Sequence, residues 1–445
     1  MKNKNKRILV ISHDRVGKSM AGPGMRYHQI AIELSKKFAV SLATFNPAYL
    51  DGLDEVPYKF FDIHVQQYQK IFDKFDAIFA LWLSPEMITY AKSKNIQLIF
   101  DMYAPGPVEE MVSKIFSGHI DSNDEYNYTA LIEYQKSFFH SADFIVCSNP
   151  IQKDFWTGFA FASGAVSPAQ YASFPVYDRI AELPMGINLD DLKFKTNVNP
   201  LLKRIPKLKE SDFVVVWTGG IWDWFDATTP LKAMKKLVDG GTNIVKLVFL
   251  GTRHPNSDVP EMKETKLAFK LAKDYGLIDK YVFFLDGWIP YEERVDYFSS
   301  ADAALYAHKP SIEAQYSHRT RVLDHFLMNI PTIATRGDYL ASIIESTNLG
   351  LIVEPTNVTE LHDAILKLSL DKSLQKTIKN NIQAIKESYT WANTCKPLVD
   401  FLETNNVSRP IFTQKPLPPQ GSQPARVLKK LLPRRAKELL KKFYY

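Results

Sequence analysis

Only two cysteines, Cys147 and Cys395, occur in the 445 residues of this chain. They give no disulfide framework and no cysteine-ligated metal cluster, so a reducing compartment is the simple inference. No apolar run reaches the ~18 residues of a membrane span, so no transmembrane helix is expected. The first residues, Met1 to Arg7, are basic, but Ile8 to Ser12 is too short for a signal-peptide core. No histidine pair has zinc spacing, and no Gly-x-Ser-x-Gly elbow supports a hydrolase triad. Gly17-Lys18-Ser19 lacks the opening glycine of a phosphate loop, because position 12 is Ser12. Gly22-Pro23-Gly24 has no third glycine at residue 27 and is no dinucleotide fingerprint. It serves either a close backbone approach to a ligand or a tight turn.

What is present suits a large α/β protein. Hydrophobic residues make up 45% of the chain, ample for real cores, and its length argues for two domains plus extras. The net charge of +6 is unevenly placed: residues 410–445 hold nine Lys/Arg and one acid, leaving −2 for the rest. The basic character therefore belongs to the tail and argues against a nucleic-acid-binding body. Residues 403–424 have the proline-rich composition of a linker. Residues 425–445 alternate leucines with Lys and Arg, as in a basic amphipathic helix attracted to an anionic membrane surface. A partner-docking helix or a solvated tail would read the same way.

Along the body, Arg7 to Ser12 reads as a buried strand and His13 to Gly24 as a polar loop. A helix carrying Ile30, Leu34 and Phe38 follows, and then the strand Val40 to Thr44. Strand, glycine loop, helix and strand open a doubly wound domain. Further strands are expected at Ala77–Trp82, Ile96–Phe100 and Ala142–Ser148, while Phe155 to Tyr177 has no clear pattern. A second series begins at Phe213–Trp217 and continues through 246–251, 281–285, 303–306, 332–335 and 351–353. The expected organisation is a first domain at 1–192, a linker at 193–211 and a second domain at 212–402. Ligands of such pairs of domains sit in the cleft between them.

One stretch of the second domain stands out. From Tyr316 to Thr335 it reads as a loop, a helix with Ser317 as its N-cap and Val322, Leu323, Phe326 and Leu327 facing a core, and a strand after Pro331. Arg319, Thr320 and Arg321 at a helix start favour an anion, and Asp324 one turn later is placed to accept hydroxyl hydrogen bonds. The plain alternative is a capped core helix whose arginines are merely solvated.

The segments Trp217–Asp223, Phe249–Asn256, Asp286–Pro290 and Ala301–Leu305, together with this stretch, resemble the donor domain of the glycogen-synthase-like (family 4) retaining glycosyltransferases. Those enzymes have the GT-B architecture of two facing Rossmann-like domains. The Ser148-Asn149 pair and Pro184–Asn188 agree, and the likeness covers roughly residues 7–402. It implies a hexosyltransferase, working with retention, that moves sugar from a nucleotide-sugar to a polysaccharide or lipid-linked acceptor. The implied setting is surface glycan synthesis in the cytoplasm, peripheral on the inner face of the membrane, with no metal and no further cofactor. It also implies a donor site of Gly24, Gly219, Gly220, Arg253, Trp288, Ser317, Arg319, Thr320, Arg321 and Asp324, with Asp101, Glu313 and Arg319 as catalytic candidates.

Three departures from the family pattern stand out. The family's first glutamate falls on Tyr316, with Glu313 as a possible substitute. Its Arg and Lys after the second domain's first strand become Ile221–Phe225, which leaves Arg319, Arg321 and Arg253 to meet diphosphate charge. Its first-domain histidine is replaced around Asp101, which with His13 and Asp14 could orient the acceptor or simply be structural. Two other readings share the architecture: a nucleotide-sugar 2-epimerase, and an inactive scaffold docking on membrane-bound glycan machinery.

Overall fold

The structure, a computed structural model, describes residues 6–17, 20–44, 50–51, 56–62, 67–118, 120–173, 176–196, 198–252, 261–287 and 289–404. The expectations at Arg253, Trp288 and residues 405–445 lie outside them.

Two parallel sheets organise the chain. The first contains β1 (Arg7–Ser12), β2 (Ala39–Thr44), β3 (Lys59–Asp62), β4 (Ala77–Ala80), β5 (Gln97–Asp101), β6 (Phe144–Cys147) and β7 (Ile180–Glu182). Their spatial order is β3-β2-β1-β4-β5-β6-β7. The second contains β8 (Phe213–Thr218), β9 (Val245–Leu250), β10 (Val282–Leu285), β11 (Ala303–Tyr306), β12 (Thr332–Thr335) and β13 (Gly350–Val353). Here the order is β10-β9-β8-β11-β12-β13. In both sheets the order reverses beside the first strand, which opens a crevice at the carboxyl ends of the strands. The central strands are apolar throughout because helices cover both faces; every residue of β8 and β9 is buried. The two-domain α/β class expected from the sequence is what the chain adopts.

Helices flank the crevice and continue beyond it. Among them are α1 (Gly22–Ser35), α2 (Gly106–Ser117), α3 (Pro150–Ala162), α4 (Ile312–Tyr316), α5 (Arg321–Leu327), α6 (Trp391–Thr394) and α7 (Lys396–Glu403). The expected polar loop from His13 to Gly24 is shortened, because α1 already starts at Gly22 with Pro23 in its first turn. Within the unpatterned stretch from Phe155, α3 accounts for the first part. It opens on Asn149, whose side chain accepts from the Gln152 N–H at 2.8 Å.

The chain passes between the domains twice, side by side. Ile187 donates to the Tyr389 carbonyl at 2.8 Å, and Trp391 donates back to the Ile187 carbonyl at 3.1 Å. Gly186 lies flat against Trp391, where a Cβ would come within 2.7–2.8 Å of the indole and its Cα. After this crossing the chain returns to the first domain: the Phe401 ring on α7 stacks on Phe144 of β6 at 4.3 Å. The span 212–402 expected for the second domain thus ends in helices that pack on the first.

Candidate active site

A cleft of about 470 Å³ runs between the domains. That volume suits a nucleotide-sized ligand, since small-molecule sites fill ~300–1,000 Å³. The first domain contributes Asp14, the start of α1, Tyr103 and Glu109; the second contributes Gly219, Gly220, Trp222, Trp224 and the stretch from Glu313 to Asp324.

The stretch singled out in the sequence forms the second-domain wall, with one local correction. Ser317 does not cap α5. Ser311 caps α4 instead, its Oγ accepting from the Ala314 N–H at 3.1 Å, and Ser317 closes that helix by donating to the Ala314 carbonyl at 2.9 Å. α5 starts only after Thr320, with no side-chain cap, because the chain first turns at 317–320 to enter the cleft. That turn is held from the other domain. Gln152 Nε2 donates to the Tyr316 carbonyl at 2.9 Å, and Asn149 Nδ2 to the Ser317 carbonyl at 3.3 Å.

Arg319 and Arg321 differ in their charge balance. Arg319 is buried and bidentate on Glu313, at 2.9 and 2.7 Å. Arg321 has no carboxylate partner among the described residues. Its Nη2 donates to the Gly220 carbonyl at 2.9 Å, its Nη1 is buried with no partner, and its guanidinium lies 4.1 Å above the Phe225 ring. Burial, with Arg319 close by, drives its pKa down to about 9. A desolvated cation of this kind is completed by an anion entering the cleft. The Ile221–Phe225 segment lacks the family's basic pair, and Arg321 reaches over from α5 to occupy that side of the cleft. Gly219, at φ +79°, makes the turn beneath it: a Cβ there would sit 3.8 Å from the guanidinium.

Asp324 faces the cleft one turn into α5. Its Oδ1 is 3.4 Å from Arg294 Nε, and Arg294 also holds Asp191 at 2.5 Å. Burial raises the Asp324 pKa, Arg294 opposes that rise, and Asp191 adds to it. Thr320 is exposed and faces Gly22 of the first domain.

Other expected residues hold different posts. Asp101 is fully buried beneath the cleft and locked bidentate on Arg26, at 2.7 Å for both contacts. Both its oxygens are engaged by Arg26, and it does not line the cleft. Gly24 does not line the cleft either; a Cβ there would collide with the Arg15 carbonyl, so the close approach is to the chain itself. Asp14 does line it. His13 stands edge-on to Tyr27 and parallel to Tyr103.

Two site residues carried no signal in the sequence. Glu109 enters the cleft from the first turn of α2, and burial together with Glu313 raises its pKa to about 7. His318 has both ring nitrogens buried without partners, and burial lowers its pKa to about 4, so the imidazole is neutral at pH 7. Among the described residues no group of three His, Cys, Asp or Glu could hold a metal ion.

The fold and cleft define a GT-B protein, and the likeness read from the sequence holds at the level of known proteins. Residues 198–384, the body of the second domain, match the family described as glycosyl transferases group 1. No curated protein matches the sequence. Among solved structures, the chain is similar to Anabaena Alr3699/HepE in complex with UDP and glucose, with a TM-score of 0.63 and 13% identity over 90% of this chain and 100% of that one. It is also similar to a sucrose-phosphate synthase from Thermosynechococcus elongatus, with a TM-score of 0.62 and 17% identity over 89% and 98%. WaaG, a glycosyltransferase involved in lipopolysaccharide biosynthesis, gives a TM-score of 0.62 and 14% identity over 89% and 100%. At these identities the shared property is the fold.

Proposed function

We propose that this protein is a retaining glycosyltransferase that moves a sugar from a nucleotide-sugar to a polysaccharide or lipid-linked acceptor. The observation that carries the reading is Arg321: a half-buried guanidinium on the wall of the cleft, its Nη1 buried, with no carboxylate among the described residues to balance it. A diphosphate supplies the missing charge. As the glycosidic bond breaks, negative charge grows on the leaving phosphate, and a fixed guanidinium favours that state over the ground state. Arg319, balanced by Glu313, shapes the turn and adds a second cation. Asp324 is positioned to accept from the ribose hydroxyls.

The acceptor hydroxyl approaches on the leaving-group face and passes its proton to the departing phosphate, so Asp101, tied to Arg26, is not needed as a base. Asp14 and Glu109 are the carboxylates left to orient the acceptor. The charge is met by arginines, so the reading calls for no metal. The basic residues 425–445 would hold the enzyme on the anionic inner face of a membrane, where a lipid-linked acceptor is found.

The test is incubation with UDP-, GDP- and dTDP-sugars and a lipid-linked acceptor. Release of nucleoside diphosphate only when acceptor is present is the expected result. Turnover of donor alone would favour epimerisation or hydrolysis, and failure of every donor to bind would overturn the reading.

A further inference from the structure

The family's basic pair is replaced by a tryptophan pair, and the replacement is built rigidly. The Trp222 and Trp224 rings are parallel to within 1°, with centroids 5.2 Å apart, and both residues line the cleft. The segment between them is fixed from behind. Lys309 Nζ donates to the Asp223 carbonyl at 2.8 Å and to Glu264 at 2.7 Å, while the Glu264 N–H donates to the Asp223 carboxylate at 2.9 Å. Glu264 also accepts from the Ala227 N–H at 2.9 Å. Opposite, on α2, the Glu109 carboxyl lines the same cleft and hydrogen-bonds to no described residue.

We propose that Trp222, Trp224 and Glu109 form a pyranose subsite, in which the C–H face of a sugar ring packs on the indoles and its hydroxyls bond to the carboxyl. Aromatic faces remove the apolar side of a sugar from water, and a carboxyl that no described residue binds is placed to orient its polar rim. Such a ring could belong to the donor or to the acceptor. The inference rests on the nucleotide-sugar reading and adds which groups grip the carbohydrate rather than the nucleotide. The raised pKa of Glu109 adds support, because a carboxyl that holds its proton near neutrality both donates to and accepts from hydroxyls.

The test uses titration calorimetry of nucleoside diphosphates and of the matching nucleotide-sugars, with acceptor kinetics, on the full chain and on Trp222→Leu, Trp224→Leu and Glu109→Leu. Diphosphate affinity is expected to change less than about twofold, which also certifies folding, while sugar recognition weakens about tenfold. If the ring belongs to the donor, the loss falls on the nucleotide-sugar. If it belongs to the acceptor, the loss falls on acceptor KM. Should a tryptophan variant fail to fold, Glu109→Leu, which keeps about the same volume and removes both hydrogen-bonding groups, still decides. Unchanged donor affinity and acceptor KM overturn the subsite while leaving the glycosyltransferase reading standing. A wild-type chain that binds no nucleotide overturns both.

Discussion

Replacing Arg321 by methionine should make the empty protein more stable and the nucleotide complex weaker. Burial opposes the charged guanidinium and lowers its pKa from 12.5 to about 9. At pH 7 the group is charged both folded and unfolded, so that opposition acts in full; it would fade only as pH rises above 9. The difference corresponds to about 5 kcal/mol against folding, taken as a ceiling. Against it stand the hydrogen bond to the Gly220 carbonyl, worth ~1.5–3 kcal/mol for a charged donor, and the contact with the Phe225 ring, worth ~1 kcal/mol. A net gain of about 1 kcal/mol follows, or about 3 °C in melting temperature for a domain of this size. Nucleoside diphosphate should bind about 10–100-fold more weakly, as for a lost charge-assisted hydrogen bond. Scanning fluorimetry with and without nucleotide measures both effects. A variant that melts several degrees lower and still binds nucleotide normally would refute the assignment of Arg321 as an anion site.

Arg319→Ala should abolish transfer and should also lower stability by about 3–5 kcal/mol. It strands the Glu313 carboxylate in the interior, and Glu313→Gln in the same chain should recover part of the loss on chemical denaturation. The Glu109 pKa is raised from 4.5 to about 7, so its contribution to stability should be present below pH 4.5 and lost as pH rises through 7. Glu109→Gln should flatten that part of the profile in a urea series. Gly186→Ala should force its Cβ into Trp391 and cost about 1–3 kcal/mol, read as a lower melting temperature. Removing residues 410–445 should leave the melting temperature unchanged and reduce sedimentation with anionic vesicles; unchanged sedimentation would count against the anchor.

The strands were the most legible part of the sequence, because parallel strands buried on both faces read as continuous apolar runs. β8, β9 and β11 fall within a residue of where Phe213–Trp217, Lys246–Gly251 and Ala303–Tyr306 place them. The short strands β3 and β7 lie at the sheet's two edges and announce themselves by no such run. The face of α5 was legible from Val322, Leu323, Phe326 and Leu327, all buried. Its start was not, because the sequence does not show that the short helix α4 ends at Tyr316 and leaves Ser317 in the turn ahead of Thr320. Pairings across long stretches of sequence were invisible. Nothing in the chain joins Arg26 to Asp101, so Asp101 looked free to act. Nothing distinguished Arg319, balanced six residues away by Glu313, from Arg321, which no carboxylate among the described residues balances.

The two amide side chains at the start of α3 have a mechanical consequence. Asn149 and Gln152 belong to one domain, yet they hold the backbone of the turn that carries both arginines of the other. Rotation about the paired crossings at Ile187 and Trp391 would break these bonds as the domains part and slacken the turn with them. On the proposed reading, domain separation and loss of grip on a nucleoside diphosphate would then be a single movement, so product escape would be timed by the hinge and not by a separate loop. On the same reading, a chain with Gln152→Ala would release nucleoside diphosphate faster while keeping Arg319, Arg321 and Asp324.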